Sequence, residues 1–373
     1  MPARLQFGTS EIDANLLYAT KFAAPDPILL LEKGKRKTLV VRDLELGRAR
    51  KEAAVNRVLG FAELEEQMRK QGGAQNQKLA DYAHQLLKSS RVRAVVVPNS
   101  FPAGLLEGLR KRKIRVRVSE KPLYPERASK QPWEIGEIRR VERATEAALA
   151  KAIALLKSAH VEGRRVKKGS RIVTSEWLKQ VMHEELLRRN CAAEHTIAAC
   201  GEQAIEPHSE GEGHVVPNLP IVLDLFPRSQ KSGYYADLTR TVVKGKASPE
   251  IKRMYSAVKE AQALAFSKLR AGVEGKRVHQ AVVEYFKQKG FETSHKGSTQ
   301  KGFTHATGHG VGLEIHEEPR IGRTGGPLQV NSIVTVEPGL YYKGVGGVRL
   351  EDLALVKRGG AINLTRLPKV LEV

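Results

Sequence analysis

The chain has 373 residues, which is long for one domain and sufficient for two that each bury a core. It carries 63 Lys and Arg against 41 Asp and Glu, a formal net charge of +22, and two cysteines without a CxxC motif. No apolar segment has the form of a signal peptide or approaches the roughly 20 residues that cross a bilayer, so we expect a cytoplasmic protein without structural disulfides or membrane insertion.

Residues 1–124 alternate short β-branched runs with helical stretches, which predicts an N-terminal α/β domain without a site of its own. The run "PILLLEKGKRKTLVVRD" indicates two strands joined by a basic turn, and "RVRAVVVPNS" and "KIRVRVSEK" indicate two more. "EAAVNRVLGFAELEEQMRK" and "KLADYAHQLLKSS" indicate helices. Pro122, Pro125 and Pro132 interrupt the segment that follows, which is the predicted linker.

Residues 125–373 are the second predicted domain, and two amphipathic helices are expected to cover its sheets. The first occupies residues 133–160, and the second begins with Ser248 as N-cap and Pro249 at the first helical position. The second helix is expected to end before Gly272. The predicted buried residues are Ile135, Ile138, Val141, Ala148, Ala152 and Leu156 in the first helix, and Ile251, Met254, Val258, Ala261, Ala265 and Leu269 in the second.

Two pairs of acidic residues share one layout. Asp224 in "IVLDLF" and Asp237 in "GYYADLTRT" stand thirteen positions apart, and Glu337 in "VTVEPGLYY" and Glu351 in "GGVRLEDLALV" stand fourteen apart. Each pair predicts a β-hairpin, with glycines in the connections. These glycines are Gly233 in the first hairpin and Gly339, Gly344, Gly346 and Gly347 in the second. The repetition predicts a duplicated α/β unit with a site on its pseudo-twofold axis.

Carboxylates in apolar strands are costly to bury unless a cation or hydrogen bonds compensate them. A single acidic residue at a strand end is ordinary, but four in matched hairpins suggest a shared cation. His309 in "HATGHGVGLEIHEEP" adds an imidazole flanked by glycines. The set predicts a centre for a pair of metal ions.

These motifs, in this order, resemble those of the pita-bread metallopeptidases, which include Xaa-Pro dipeptidase, aminopeptidase P and methionine aminopeptidase. The resemblance covers roughly residues 125–373, and the N-terminal domain resembles the first two branches. It implies that Asp237 and Glu351 bridge two ions, that Asp224 holds one, and that His309 and Glu337 hold the other. Mn²⁺ is the expected metal, with Co²⁺ or Zn²⁺ as alternatives, because the donors are mainly carboxylates.

The resemblance also assigns the substrate side of the site. His208 in "AIEPHSEGEGH" and His316 are expected to stabilise the developing oxyanion, and Glu337 to act as general acid and base. Arg349 is placed two residues before Glu351, on the same strand face, where it would fix a ligand carboxylate. The remaining candidates are Arg320, for the carboxylate of a dipeptide, and His305, in the outer shell, whereas His183, His214 and His295 are interpreted as surface or structural residues.

The predicted activity is metal-dependent hydrolysis of the bond between an N-terminal residue and proline, by hydroxide that two metal ions activate. The expected partners are a small peptide substrate and a second subunit in a homodimer. Two alternatives stay open. One is a peptidase or amide hydrolase of another specificity, and the other is a catalytically silent module that binds nucleic acid or protein.

Basic residues form three runs. They are Lys33 to Lys37, "KGKRK", Arg110 to Arg117, "RKRKIRVR", and Arg164 to Arg171, "RRVKKGSR". No aromatic residues alternate with these cations as a base-stacking surface would require. We therefore interpret them as solvated surface and expect only nonspecific, salt-sensitive attraction of nucleic acid.

Overall fold

The computed structural model describes residues 2–72, 77–294 and 301–373. It divides into two compact units, Met1–Pro125 and Glu126–Val373. None of the helices in the described part of the chain combines the length and the apolar composition of a transmembrane span.

The first unit is built on a six-stranded sheet in the order β4-β3-β2-β1-β5-β6. Its strands are β1 (Ala3–Gly8), β2 (Ile28–Lys33), β3 (Arg36–Val41), β4 (Arg57–Gly60), β5 (Ala94–Val97) and β6 (Arg115–Val118). Strand β2 is antiparallel to both β1 and β3, whereas β3 with β4, β1 with β5 and β5 with β6 are parallel pairs. The predicted strands "PILLLEK" and "RKTLVV" are thus confirmed as neighbours.

Helices cover both faces of this sheet. They are α1 (Ala14–Thr20), α2 (Leu46–Glu52), α3 (Phe61–Lys70), α4 (Leu79–Ser89) and α5 (Ala103–Lys111), with a short 3-10 helix at Asp43–Glu45. Leu29 and Leu31 of β2 join the apolar core on one face, and Ile28 and Leu30 join the core on the other. A strand that is buried on both faces is apolar at every position, which explains the run "ILLL".

The single helix predicted over "EAAVNRVLGFAELEEQMRK" is wrong. Its middle part forms the parallel strand β4, in which Val58 and Leu59 pair with Leu39 and Val40, and α3 begins only after Gly60. Tertiary strand pairing overrides the local helical tendency of the flanking residues, as it often does for short apolar segments.

The second unit contains the helices α6 (Pro132–Ser158), α7 (Ser175–Leu187), α8 (Pro249–Lys268) and α9 (Gly275–Gln288), with 3-10 turns at Pro125–Ala128 and Gly201–Ile205. The predicted apolar stripes of α6 and α8 are buried, and Ser248 is the N-cap of α8, since its side chain accepts a hydrogen bond from the Ile251 amide.

The strands of the second unit are β7 (His160–Glu162), β8 (Arg165–Lys168), β9 (Arg171–Ile172), β10 (Cys191–Ala192), β11 (Ile197–Cys200), β12 (Pro220–Leu225), β13 (Arg228–Ser229), β14 (Leu238–Val243), β15 (Gly308–Gly310), β16 (Glu317–Ile321), β17 (Ile333–Val336), β18 (Gly339–Tyr342), β19 (Gly346–Arg349), β20 (Asp352–Val356) and β21 (Ala361–Asn363).

The second unit repeats one arrangement twice. In the first half α6 packs against α7 beside the sheet β11-β12-β14, and in the second half α8 packs against α9 beside the sheet β16-β15-β17-β20-β21. Strands β12 and β14 pair antiparallel, as do β17 and β20. The two halves meet where the Glu351 amide donates to the Thr239 carbonyl at 3.1 Å and the Arg349 amide donates to Thr241 Oγ1 at 3.0 Å.

Two details differ from expectation. The predicted connection between Glu337 and Glu351 is itself a hairpin, since β18 pairs with β19, so Gly339, Gly346 and Gly347 lie in strands and not in a loop. Arg349 also does not share a strand face with Glu351, because Arg349 ends β19 and β20 begins at Asp352. A Cβ at position 347 would lie 1.9 Å from the Ala204 carbonyl oxygen. The backbone at Ala204 therefore approaches β19 too closely for any residue but glycine at this position.

Candidate metal centre

One cavity of about 530 Å³ in the second unit brings together every site residue predicted from the sequence. Its lining includes Asp224, Asp237, His309, Glu337, Glu351, His208, His316, Arg320, Arg349 and His305. These residues come from positions 208 to 351 of the chain, so the tertiary fold and not local spacing assembles them.

The strand registers bring the four carboxylates together. Asp224 lies within β12, opposite Thr239, and Asp237 immediately precedes β14. Glu337 follows β17 and Glu351 precedes β20, next to the pair formed by Val336 and Asp352. Each half of the unit therefore places two carboxylates at the same end of one antiparallel pair.

Three of these carboxylates have an oxygen that the protein leaves without a partner. Among the described residues, the buried atoms Asp224 Oδ1, Asp237 Oδ1 and Glu351 Oε1 accept no hydrogen bond. Donor atoms of Asp237, His309 and Glu351 lie within 4.8 Å of one another. Buried oxygens without partners are costly, and a cation would compensate them, so this donor set fits divalent metal.

The remaining contacts orient the candidate ligands. His309 Nε2 lies 3.3 Å from Glu337 Oε1 and 3.6 Å from Asp237 Oδ2. The Nδ1 atom of His309 is 3.2 Å from the Gly310 carbonyl oxygen, so we assign its proton there and leave Nε2 free as a donor to metal. Thr239 Oγ1 donates to Glu351 Oε2 at 2.7 Å, and Thr335 Oγ1 donates to Glu337 Oε1 at 3.2 Å.

Electrostatics in the protein alone disfavour four ionised carboxylates. Burial, together with the charges of Glu351 and Asp224, raises the pKa of Asp237 well above its usual range. Burial and the charge of Glu337 do the same to the pKa of Glu351, and burial raises the pKa of Glu337 to about 7. Burial lowers the pKa of His309 to about 3, so this imidazole is neutral and able to coordinate at neutral pH.

Arg349 anchors one carboxylate and connects it to a histidine. Its Nη2 atom lies 2.6 Å from Asp224 Oδ2, and its Nη1 atom donates to the Tyr341 hydroxyl at 2.8 Å. That hydroxyl lies 2.8 Å from His305 Nε2, while His305 Nδ1 lies 2.8 Å from the Ala306 carbonyl oxygen. Arg349 is 3% exposed, so its ion pair with Asp224 is shielded from solvent although the residue lines the cavity.

The segment that carries His316 is held by buried ion pairs. Glu317 accepts from Lys130 Nζ at 2.5 Å and from Arg127 Nη2 at 2.6 Å. A Cβ on Gly312 would lie 2.4 Å from Glu317 Oε1, so a glycine at this position leaves room for the carboxylate. The His316 ring meets the His309 ring edge to face with centroids 4.3 Å apart. Lys130 and Arg127 thus hold Glu317, the residue next to His316, in place.

His208, His316 and Arg320 are exposed within the described structure and face the cavity that the carboxylates line. His183 and His214 do not line this cavity, and His183 instead lies 2.8 Å from Thr196 Oγ1. His295 lies outside the described residues.

Sequence reasoning missed several contributors. Thr239 stands two residues after Asp237 and so shares its strand side, a signal that was available. Tyr341 belongs to the "VEPGLYY" motif but has no charge that would single it out. Arg127 and Lys130 lie in the segment that was interpreted as a linker, where nothing in the sequence points to Glu317.

A carboxylate and histidine centre shared by two repeated α/β halves defines a pita-bread metallopeptidase. Residues 136–358 match the model of metallopeptidase family M24. The match covers more than half of the chain, and the protein belongs to this family.

Named relatives agree with this class. The chain is 28% identical to the Xaa-Pro dipeptidase of Pyrococcus horikoshii over 285 residues, and this aligned region covers 75% of each chain. It is 34% identical over 193 residues to the Xaa-Pro dipeptidase of Pyrococcus furiosus, which covers 50% of this chain and 53% of the relative. The match thus spans about half the length of the first curated relatives.

Among solved structures, the prolidase of Pyrococcus horikoshii superposes with a TM-score of 0.80 at 23% identity. The likeness covers 100% of this chain and 95% of that chain. At this identity the likeness concerns the fold, and it confirms the predicted class, an N-terminal α/β domain followed by a pseudo-twofold pita-bread domain.

Proposed function

We propose that this protein is a metal-dependent exopeptidase that hydrolyses the bond between an N-terminal residue and proline. One observation carries the proposal. Five side chains of the ligand type converge in one cavity, and three of their buried carboxylate oxygens have no partner among the described residues. The relatives named Xaa-Pro dipeptidase support the choice of substrate.

The five residues Asp224, Asp237, His309, Glu337 and Glu351 would hold two divalent ions. Asp237 and Glu351, which come from different halves of the unit, are the proposed bridging ligands. Mn²⁺ suits these donors, as do Co²⁺ and Zn²⁺. When bound, such ions would supply a nucleophilic water near neutral pH and polarise the scissile carbonyl.

Glu337 is the proposed general base and acid. Its Oε1 atom accepts from Thr335 and lies close to His309, whereas Oε2 is 3.9 Å from His305 Nδ1, too far for a hydrogen bond, so Oε2 is the oxygen proposed to take the proton. This carboxyl would take a proton from water and deliver it to the leaving nitrogen, which bears no hydrogen when it belongs to proline.

The exposed histidines of the cavity would act on the substrate carbonyl. His316 and His208 would donate hydrogen bonds to the oxygen on which negative charge develops. Arg320, at the same cavity, would receive the carboxylate of a dipeptide. Arg349 would orient Asp224 through the ion pair between its guanidinium and the Asp224 carboxylate, without itself binding metal.

The same proposal takes residues 125–373 as the catalytic domain and residues 1–124 as a separate domain. A homodimer and a cytoplasmic location remain predictions from the sequence.

A direct experiment compares Xaa-Pro dipeptides, longer Xaa-Pro peptides and the corresponding Xaa-Ala peptides, with metal content measured on the same sample. We expect turnover of Xaa-Pro substrates that exhaustive chelation abolishes and Mn²⁺ or Co²⁺ restores. Equal rates on Xaa-Ala peptides would indicate a peptidase of another specificity. Absence of turnover on every peptide in the metal-loaded protein would reject the enzyme function, as would full activity in a verified metal-free sample.

A further inference from the structure

The first unit collects cations at one end of its sheet. Lys33 and Arg36 face each other across the β2-β3 turn, and β1, which starts beside the end of β2, also starts beside the start of β5. Strands β4 and β6 start at this same end, because they run parallel to β3 and β5. The basic runs "KGKRK" and "RKRKIRVR", about 75 residues apart in sequence, therefore share one edge of the fold.

We name this surface the basic rim. It consists of eight exposed cations: Lys33, Lys35, Arg36, Arg57, Arg91, Arg93, Lys113 and Arg115. Within the described ranges, no ion pair includes any of them. The Nζ atom of Lys33 reaches across to the Ser90 carbonyl oxygen at 2.9 Å, so the β2-β3 and α4-β5 turns are in contact.

The opposite end of the same sheet has the opposite charge. Its connections contain Glu11, Asp13, Asp26, Asp43, Glu45 and Glu120, with Lys21, Arg42 and Lys121 as cations. Several of these anions have structural partners: Asp13 caps α1, Asp43 accepts from the Ala62 amide, and Glu45 pairs with Arg48. Beside the rim, Arg110 pairs with Glu107 and Arg112 pairs with Asp81, but among the described residues no carboxylate pairs with the eight cations of the rim itself.

Local stability does not account for the rim. Lys33 and Arg36 are direct cross-strand neighbours, and like charges at such positions are destabilising. The carboxylate nearest in sequence, Glu32, is 4% exposed and already paired with Arg4 at 3.0 Å. Because no carboxylate in the described part of the chain pairs with these cations, they are available to an external anion.

The form of the rim favours one class of anion. The six strands that border it are about 4.8 Å apart, so it extends for about 24 Å. A DNA duplex carries one charge per about 1.7 Å of its axis, which gives about 14 phosphates over that length. The large exposed apolar residues Ile12 and Leu44 belong to connections at the opposite end, so the rim offers no apolar anchor for a membrane surface.

We propose that the basic rim of the first unit binds the phosphodiester backbone of nucleic acid. Binding is independent of sequence, because the rim has cations for phosphates but no aromatic side chain on which bases could stack. All described residues that line the carboxylate cavity belong to the second unit, so binding at the rim and peptide hydrolysis are tested separately.

The test measures binding of the full chain to a fluorescein-labelled 24-base-pair DNA duplex by anisotropy, between 50 and 300 mM KCl. The rim variant is Lys35→Gln with Arg115→Gln. The matched control, Arg42→Gln with Lys121→Gln, removes the same charge from the opposite end of the sheet. Phosphatidylserine vesicles and poly-glutamate serve as competing anions.

We expect the unmodified chain to bind at 50 mM KCl with a steep salt dependence. The rim variant should bind more weakly, and its slope of log K against log salt should be shallower by about 1.8, at about 0.9 per lost phosphate contact. The control should retain the original slope. Equal weakening in both variants, or no binding of DNA at 50 mM KCl, would overturn the proposal. So would vesicles or poly-glutamate that bind at the rim more tightly than DNA does.

Discussion

The second unit buries a cluster of like charges, whereas the first unit exposes one. Asp224, Asp237 and Glu351 are each at most 8% exposed, and each retains a carboxylate oxygen without a partner among the residues that the structure describes. The cations of the basic rim are exposed and remain hydrated. Because water screens exposed charges and burial removes that screening, the buried cluster requires a counter-charge to exist at neutral pH, whereas the exposed one only attracts anions.

The same contrast separates the buried charged pairs of the second unit from the exposed charged pairs of the first unit. Two pairs are buried, Arg349 with Asp224 and Lys130 with Glu317. If one partner of such a pair is removed, the charge of the other stays in the protein interior, where water cannot solvate it. Surface pairs such as Lys70 with Glu66 are exposed, so either partner returns to water at little cost. Five predictions test whether burial decides these consequences.

The largest expected effect is at the proposed bridging ligands. Asp237→Asn or Glu351→Gln should lose bound metal and lower turnover by more than about 100-fold, beyond the ~10–100-fold that residues orienting a ligand typically cost. Metal analysis and turnover on the same preparations measure both. The exposed Glu250→Gln should change neither. Full metal content in both ligand variants would show that the ligands are misassigned.

The second effect is on stability. Lys130→Met should lower the free energy of unfolding by about 1.5–3 kcal/mol, because buried Glu317 loses one of its two charged hydrogen-bond donors and keeps Arg127. Lys70→Met, in an exposed pair, should cost about 0–1 kcal/mol. Denaturant unfolding compares the two variants. If both cost the same, burial is not what makes the first pair important.

The third effect separates substrate contact from metal binding. His316→Ala should keep its metal and lose turnover by roughly 10²-fold, the scale of one donor to a developing oxyanion. His160→Ala, at an exposed position away from the cavity, is the control. Loss of metal in His316→Ala would contradict the assignment of His316 to the substrate side.

The fourth effect is the pH dependence of the chelated protein. Burial raises the pKa of Glu337 to about 7 from an ordinary value of 4.5, so the folded state binds this proton more tightly than the unfolded state does. The associated stability is present below pH 4.5 and is lost as the pH rises towards 7. Thermal unfolding of chelated protein should therefore shift to lower Tm over this range, and Glu337→Gln should flatten the shift. A chelated protein whose Tm rises from pH 4.5 to 7 would contradict this account.

The smallest expected effect is on peptide hydrolysis when the exposed charges of the first unit are changed. Reversal of Lys33, Lys35, Lys37, Arg110 and Lys111 should leave turnover within about twofold, since surface charges contribute little to folding and none of these residues lines the carboxylate cavity. Circular dichroism checks that the fold survives. A large loss of turnover in a folded variant would show that the two charge clusters are not independent.

Much of this organisation was predictable because it repeats in the sequence. The matched spacing of Asp224 with Asp237 and of Glu337 with Glu351 predicted two strand pairs, and β12 with β14 and β17 with β20 confirm them. The helix stripes were predictable because periodic apolar residues are a local signal. The strand β4 was not, because "VLG" becomes a strand only by pairing with β3.

By itself the sequence predicted which residues would carry the chemistry, because the carboxylates, His309, His208 and His316 stand in recognisable motifs, and one cavity brings them together. Only the tertiary structure decided their supports. Arg349 reaches Asp224 across 125 positions, Lys130 reaches Glu317 across 187, and neither pairing leaves a trace in local spacing. The basic rim likewise exists only because parallel and antiparallel pairings place distant turns at one end of a sheet. Local patterns record what a segment must bury, whereas long-range partners depend on the topology that brings segments together.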